Sequence, residues 1–182
     1  MNSIEKDIAK VLISEEEVGK RVKELGEKIS RDYQGKSIIV ICVLKGAIIF
    51  YSDLARYIDV PLEMDFMAVS SYGSGTKSTG VVRILKDLSV DIQGKHLLLV
   101  EDILDTGNTL HYLSENLKSR NPASFKICTL LDKPERRVAD IHADYVGFVI
   151  PDDFVVGYGL DYNQRYRNLP YIGVLKKDVY HN

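Results

Sequence analysis

Hydrophobic positions along this chain follow two rhythms: short solid apolar runs, and stretches in which apolar residues recur every three or four positions. Residues 37–43 (Ser-Ile-Ile-Val-Ile-Cys-Val), residues 97–100 (Leu-Leu-Leu-Val) and residues 124–131 are of the first kind. Such runs predict strands buried on both faces, as in a parallel sheet covered by helices. The second kind begins at Ser14, which with Glu17 forms a capping-box pattern. Val18, Val22, Leu25 and Ile29 follow at spacings of four, three and four, predicting a helix over residues 14–34 that stops near Gly35. Residues 47–58 predict a second helix, and Leu110, Leu113 and Leu117 a third. A short apolar run opens the chain at residues 8–13, and residues 61–70 and 80–88 predict two further strands flanking a polar tract at 71–79. The alternation of strand and helix implies an α/β fold with a mostly parallel sheet.

Composition narrows the class. A chain of 182 residues with 45% hydrophobic content fits one domain, residues 1–182, and a domain of that size buries roughly 70% of its unfolded surface. The net charge of −2, with no basic arm, argues against a nucleic-acid partner. No apolar run is long enough to span a membrane and no signal-like segment opens the chain, so a cytoplasmic protein is expected. Cys42 and Cys128 each sit inside an apolar run and read as reduced core residues, not metal ligands.

Candidate chemistry concentrates in residues 96–117. The buried run Leu97 to Val100 leads into Glu101, Asp102 and Asp105, then Thr106-Gly107-Asn108-Thr109 and a helical pattern. Carboxylates thus stand at a strand's carboxyl end, and unpartnered backbone N–H groups stand at a helix start, the place where open α/β sheets bind ligands. Gly107 permits close backbone approach, so Asp105 to Thr109 can cradle a phosphate, with the hydroxyls of Thr106 and Thr109 adding donors. Glu101 and Asp102 would repel phosphate. They suit the hydroxyls of a sugar or Mg²⁺. An ordinary turn with Asp105 or Thr106 as N-cap would explain one of these polar residues, not six.

Two other strand ends carry weaker signals. Leu44-Lys45-Gly46 leaves the strand at 37–43 and could receive a second anion. Lys133 ends the strand at 124–131 and could point into the same crevice as Asp105. The tract at 71–79 superficially resembles a P-loop, but Thr76 occupies the place of the glycine before Lys77-Ser78.

The segment VEDILDTGNTL resembles the signature of the phosphoribosyltransferases, which bind phosphoribosyl pyrophosphate (PRPP). FVVGYGLDYN, within residues 154–163, resembles the base-binding segment of the hypoxanthine-guanine branch, so the resemblance covers most of the chain. It implies the type I phosphoribosyltransferase fold, with N-terminal and C-terminal segments forming a small hood over the crevice. The implied reaction transfers 5-phosphoribosyl from PRPP to N9 of hypoxanthine or guanine, giving the nucleotide and pyrophosphate, with Mg²⁺ as cofactor. By the same resemblance Leu44, Lys45, Gly46 and Arg167 hold pyrophosphate, with a cis peptide before Lys45. Glu101 and Asp102 bind ribose hydroxyls and metal, and Asp105 is the general base. Asp105, Thr106, Gly107, Asn108 and Thr109 bind the phosphate, and Ser71 and Tyr72 belong to a mobile lid. Lys133 donates to the purine 6-oxo group, Phe154 stacks on the ring, backbone at Val155 reads its edge, and Asp161 helps bind Mg²⁺. Asn108 and Gly159 depart from the Lys and Ala of the mammalian members, and neither is a group the chemistry requires. A xanthine-accepting enzyme and a non-catalytic PRPP sensor remain open, and a homodimer or homotetramer is usual in the family.

Overall fold

The computed structural model describes residues 4–71 and 82–180. Its centre is a six-stranded sheet in which β2 (Ile38–Leu44), β3 (Leu62–Ser71), β4 (Val82–Lys86), β5 (His96–Leu104), β6 (Ser124–Asp132) and β7 (Tyr145–Val149) take the order β4-β3-β2-β5-β6-β7. All neighbours are parallel except the edge pair β3–β4. Successive residues of β2 and β5 therefore face opposite layers. Val40, Cys42, Leu98 and Val100 pack with α1 (Glu15–Asp32) and α2 (Ile48–Ala55) on one side, whereas Ile39, Ile41, Leu97 and Leu99 pack with α3 (Asn108–Lys118) on the other. Both faces are dry, which is why these strands carry no polar alternation.

The capping box at α1 forms: Ser14 N–H donates to Glu17 Oε2 at 2.8 Å and Glu17 N–H to Ser14 Oγ at 3.3 Å. Its predicted face, Val18, Val22, Leu25 and Ile29, is buried. Gly26 lets α1 seat against the end of α2, since a Cβ there would lie 2.4 Å from that of Tyr57. Arg21 then fastens α1 to β7 by donating to the carbonyls of Val146 and Gly147, both at 2.8 Å. Cys42 and Cys128 are buried free thiols, and burial pushes the Cys42 thiol up to about 12.

The two chain ends meet in a second sheet. β1 (Ile8–Ile13) pairs antiparallel with β9 (Ile172–Leu175), which also pairs with β8 (Val155–Val156). A short helix, α4 (Lys177–Tyr180), follows β9.

The order β3-β2-β5-β6 places the site. From β2 the chain crosses to β3 on one side, and from β5 it crosses to β6 on the other, so the sheet reverses its winding between β2 and β5. Connections leaving these two strands diverge and open a crevice at their carboxyl ends. Those ends carry Leu44-Lys45-Gly46 and Glu101 to Thr109.

Candidate active site

The helix after β5 starts without help from a side chain. Its N-cap is Gly107, left-handed at φ 86°, and no side chain hydrogen-bonds the cap. Neither Asp105 nor Thr106 takes the capping role that an ordinary turn would assign them, so the donors of the first turn are left for an anion. Glycine is required at 107 on two counts, the positive φ and the neighbours, because a Cβ would lie 2.7 Å from Ile141 Cγ2. Beneath the turn is a cavity of about 120 Å³ lined by Glu101, Asp105, Thr106, Gly107 and Thr109 among others. The loop is braced from behind. Arg137 donates to the carbonyls of Leu104 (3.1 Å), Asp105 (3.0 Å) and Ile141 (2.9 Å) and pairs with Asp132. The Thr106 carbonyl accepts from Val138 N–H at 2.9 Å and Ala139 N–H at 3.1 Å. Three successive loop carbonyls are thereby satisfied on the side of residues 137–139, and Asn108 stays exposed at the helix start.

Glu101 and Asp102 stand at the other wall of this turn. Glu101 Oε2 is shielded from solvent and, among the described residues, has no hydrogen-bond partner. Desolvation, and then the charge of Asp102, hold the Glu101 carboxyl well above the usual range. Asp102 is pushed up to about 6, chiefly by desolvation, although Ile103 N–H donates to it at 2.8 Å and Arg167 pulls it back. Such a pair calls for an incoming donor or cation. Among the described residues no three acidic, His or Cys side chains converge as a metal cage. The donor set suits Mg²⁺, which takes one or two carboxylates and completes its shell with substrate and water oxygens.

The Lys45 loop packs onto this pair. Leu44-Lys45 is a cis peptide, and a Cβ on Gly46 would fall 1.7 Å from Asp102 Oδ2. Gly159, at φ 105°, presses on the same loop, since its Cβ would lie 2.0 Å from the Gly46 carbonyl oxygen. The sequence reading gave position 159 no part in the site. The structure gives it one, because backbone contact there joins the loop after β8 to the loop after β2. Across the contact, Lys45 Nζ donates to Gln164 Oε1 at 3.3 Å and Arg167 Nη2 to the same atom at 3.4 Å. Arg167 also pairs with Asp161 at 2.7 Å and donates to the Gly159 carbonyl at 2.6 Å. Asp161 Oδ2 accepts from Gln164 N–H at 2.8 Å. Lys45, Asp161 and Arg167 thus converge around Gln164.

A larger cavity of about 460 Å³ opens beside the first, and Ile103 and Asp105 line both. Lys133, only 7% exposed, lies in its wall. Its ammonium donates to the Asp153 carbonyl at 2.6 Å and stands 3.6 Å from Asp152 Oδ1. Phe154 lines the cavity with 38% of its surface exposed, and Val155 beside it is buried. Asp105 is engaged by Arg136, whose Nε lies 2.8 Å from Oδ1 while its Nη1 reaches Asp152 at 3.3 Å. Of the sequence candidates, Glu101, Asp105, Thr106, Gly107, Thr109, Lys133, Phe154, Val155 and Asp161 line the two cavities. Leu44, Lys45, Gly46, Asp102, Asn108 and Arg167 stand on the adjoining strand ends and loops, and Ser71 and Tyr72 are not placed. Ser71 ends β3 with its side chain undescribed, and Tyr72 lies outside the described residues.

Sequence reasoning missed Ile103, Arg136, Arg137, Asp152, Gln164 and Tyr180. Ile103 alone had a signal, since it stands two places after Glu101 on a strand and shares its face.

Comparison with known proteins gives the family. The model of the phosphoribosyl transferase domain matches residues 12–163. The chain is 60% identical over 174 residues to the hypoxanthine-guanine phosphoribosyltransferase of Bacillus subtilis, covering 96% of this chain and 97% of that one. It is 56% identical to the protein of the same name from Streptococcus pneumoniae R6, covering 98% and 99%. A crystal structure of a hypoxanthine phosphoribosyltransferase from Staphylococcus aureus superposes with a TM-score of 0.96 at 55% identity, covering all of both chains.

Proposed function

The chain belongs to the phosphoribosyltransferase family, and on that footing we propose that it transfers 5-phosphoribosyl from PRPP to N9 of hypoxanthine or guanine, releasing pyrophosphate. The observation that carries this reading is the pair of adjoining cavities with Asp105 in the wall they share. The smaller, with an uncapped helix start and hydroxyls of Thr106 and Thr109, suits the 5-phosphate. The larger, with Phe154 and Lys133, suits a flat base with an acceptor at its edge.

In the reaction the bond from the anomeric carbon to the pyrophosphate oxygen breaks and a bond to N9 forms, through a transition state with oxocarbenium character. Asp105, placed between sugar and base, takes the proton that the purine gives up at N7. Taking that proton on Oδ1 requires Arg136, which donates to that oxygen, to yield it. Lys45 and Arg167 face the departing pyrophosphate and stabilise its growing charge. Glu101 and Asp102 accept from the ribose hydroxyls, and with Asp161 they are the residues that would hold Mg²⁺. When bound, the metal neutralises charge on the leaving group. Lys133 has three donors and no acceptor, so it matches the 6-oxo group and mismatches the 6-amino group of adenine. Ser71 and Tyr72 remain candidates for a lid, and the family habit makes a homodimer or homotetramer the expected assembly. Among the described residues no helix is long and apolar enough to cross a membrane.

Pyrophosphate release with PRPP, Mg²⁺ and each of hypoxanthine, guanine, xanthine and adenine tests the reading. Turnover with hypoxanthine or guanine and none with adenine supports it. Turnover with xanthine alone moves the substrate assignment, and PRPP binding with no turnover on any base makes the chain a sensor.

A further inference from the structure

Phe154 has more company than a base-stacking residue needs. The ring of Tyr180 lies on it at 4.7 Å between centroids and 22° between planes, and Tyr162 meets it nearly perpendicular, at 5.7 Å and 89°. Tyr162 and Tyr180 also touch, at 6.5 Å and 67°. A phenyl ring has two faces, and Tyr180 covers one. The other is left for a ligand, since Phe154 keeps 38% of its surface exposed and lines the large cavity together with Tyr180 and Lys133.

The chain's course makes this contact a deliberate return. Leu175 N–H, at the end of β9, donates to the carbonyl of Phe154 at 2.9 Å, so the tail is tied to the backbone of the very residue it later covers. Lys176 N–H donates to the Asp7 carbonyl at 2.9 Å, and the Lys176 ammonium donates to the carbonyl of Lys6. These bonds anchor the tail on the N-terminal segment. The short turn of α4 then brings Tyr180 back onto the ring, with Val179 and Tyr180 packed against the cluster of Val156, Tyr166, Leu169 and Leu175.

We propose that Tyr180 is a positioning residue for the purine: it backs Phe154, so that the base, Phe154 and Tyr180 form a three-layer stack with the base outermost. The inference rests on the base-transfer reading above and adds to it the source of the Phe154 plane. An exposed Phe without a backing ring would sample other rotamers, and the base would have to select one on each binding event. Aromatic pairs of this kind contribute enough to change affinity by about 3- to 10-fold.

Steady-state kinetics on full-length Tyr180→Ala and Tyr180→Phe tests the role. For Tyr180→Ala the expected result is a KM for hypoxanthine raised about 3- to 10-fold, with the KM for PRPP and kcat near those of the parent. Tyr180→Phe, which keeps the ring, should restore the parent KM. An unchanged hypoxanthine KM in Tyr180→Ala overturns the proposal. So does a lowered one, which would mean that Tyr180 sits where the base must go. If KM for PRPP rises in step, the tail supports the fold at large and the specific role is lost. A Tyr180→Phe variant as weak as Tyr180→Ala transfers the effect to the hydroxyl and also overturns the stack. A parent protein that turns over no base at all removes the base-transfer reading itself, an outcome no variant of Tyr180 can mimic.

Discussion

The two adjoining cavities are built on opposite principles. At the smaller one, main chain from a single nine-residue stretch, residues 101–109, does most of the work, and its groups are left wanting. The helix start has no side-chain cap, Glu101 Oε2 has no partner among the described residues, and Asp102 sits in surroundings that favour its proton. At the larger one, side chains from residues 103–105, 133–136, 152–161 and the C-terminal turn meet, and each is already engaged. Asp105 has Arg136, Lys133 has the Asp153 carbonyl and Phe154 has Tyr180. The unsatisfied end is poised for a highly charged ligand whose binding relieves it. Under the proposed function the self-satisfied end exchanges partners to admit a base, which suits a weakly polar ligand that has to be chosen by shape and by one acceptor.

Asp105 belongs to both ends, so changing it should have the largest effect. Asp105→Asn keeps the shape and the possible contact with Arg136 but cannot take a proton. Turnover of hypoxanthine should fall by about 10² to 10⁴, while PRPP binding, followed by calorimetry in the presence of Mg²⁺, stays within a few-fold. Equal loss at both ligands would make Asp105 a structural link between the cavities and not a base.

Lys133 comes next and concerns the base end alone. Lys133→Met keeps the length and apolar stem and removes every donor. Loss of a buried donor to the 6-oxo group should lower kcat/KM for hypoxanthine by about 10²-fold and narrow the gap to adenine. An adenine gap that survives intact would shift discrimination to the backbone around Val155.

At the smaller cavity, the test is stability. The raised carboxyls of Glu101 and Asp102 make the fold less stable as pH rises. Below about pH 4 both the folded and unfolded chains hold these protons. Above it the unfolded chain, with carboxyls at roughly 4, releases them first, and stability falls until the folded groups ionise, near pH 6 for Asp102. Glu101→Gln removes one of these groups. The ligand-free variant should therefore be more stable than the parent at pH 7.5, by about 1 kcal/mol or about 2–4 °C in Tm, with weaker PRPP binding. A variant that melts lower than the parent would mean that Glu101 has a partner and the end is not poised.

The contrast also decides what could be read from sequence. The sheet was legible because β2 and β5 are buried on both faces, and that leaves a solid apolar run in the chain. The helix α1 was legible through its capping box and the Val18, Val22, Leu25, Ile29 spacing. The lining of the smaller cavity was legible because one loop contains it, whereas that of the larger, apart from Lys133 at its strand end, was readable only through resemblance, residue by residue. Arg137 reaches back across more than thirty positions to the Leu104 and Asp105 carbonyls, and backbone acceptors have no side-chain signature to announce such a bond. Gly159 was passed over for a similar reason, since its neighbour is the Gly46 carbonyl. Tyr180 left no periodic trace, because its contact depends on how the tail turns after β9.

Arg136 should give the smallest effect, and it tests how firmly the base end is self-satisfied. Its guanidinium spans Asp105 and Asp152, whose charges hold its pKa above the ordinary value, yet its side chain is 44% exposed and those of its partners 40% and 50%. Water and salt screen a bridge this open, and exposed pairs typically contribute below about 1 kcal/mol. Arg136→Ala should then melt within about 3 °C of the parent and bind hypoxanthine with a KM within about 3-fold, because under the proposed function the parent breaks this bridge on admitting a base. A Tm unaffected by salt in the parent but lowered well beyond that range in the variant would mark the bridge as a structural clasp. A tenfold rise in the hypoxanthine KM would show instead that Arg136 stays in place and touches the base, so the proton would need a route to Asp105 with the guanidinium still bound.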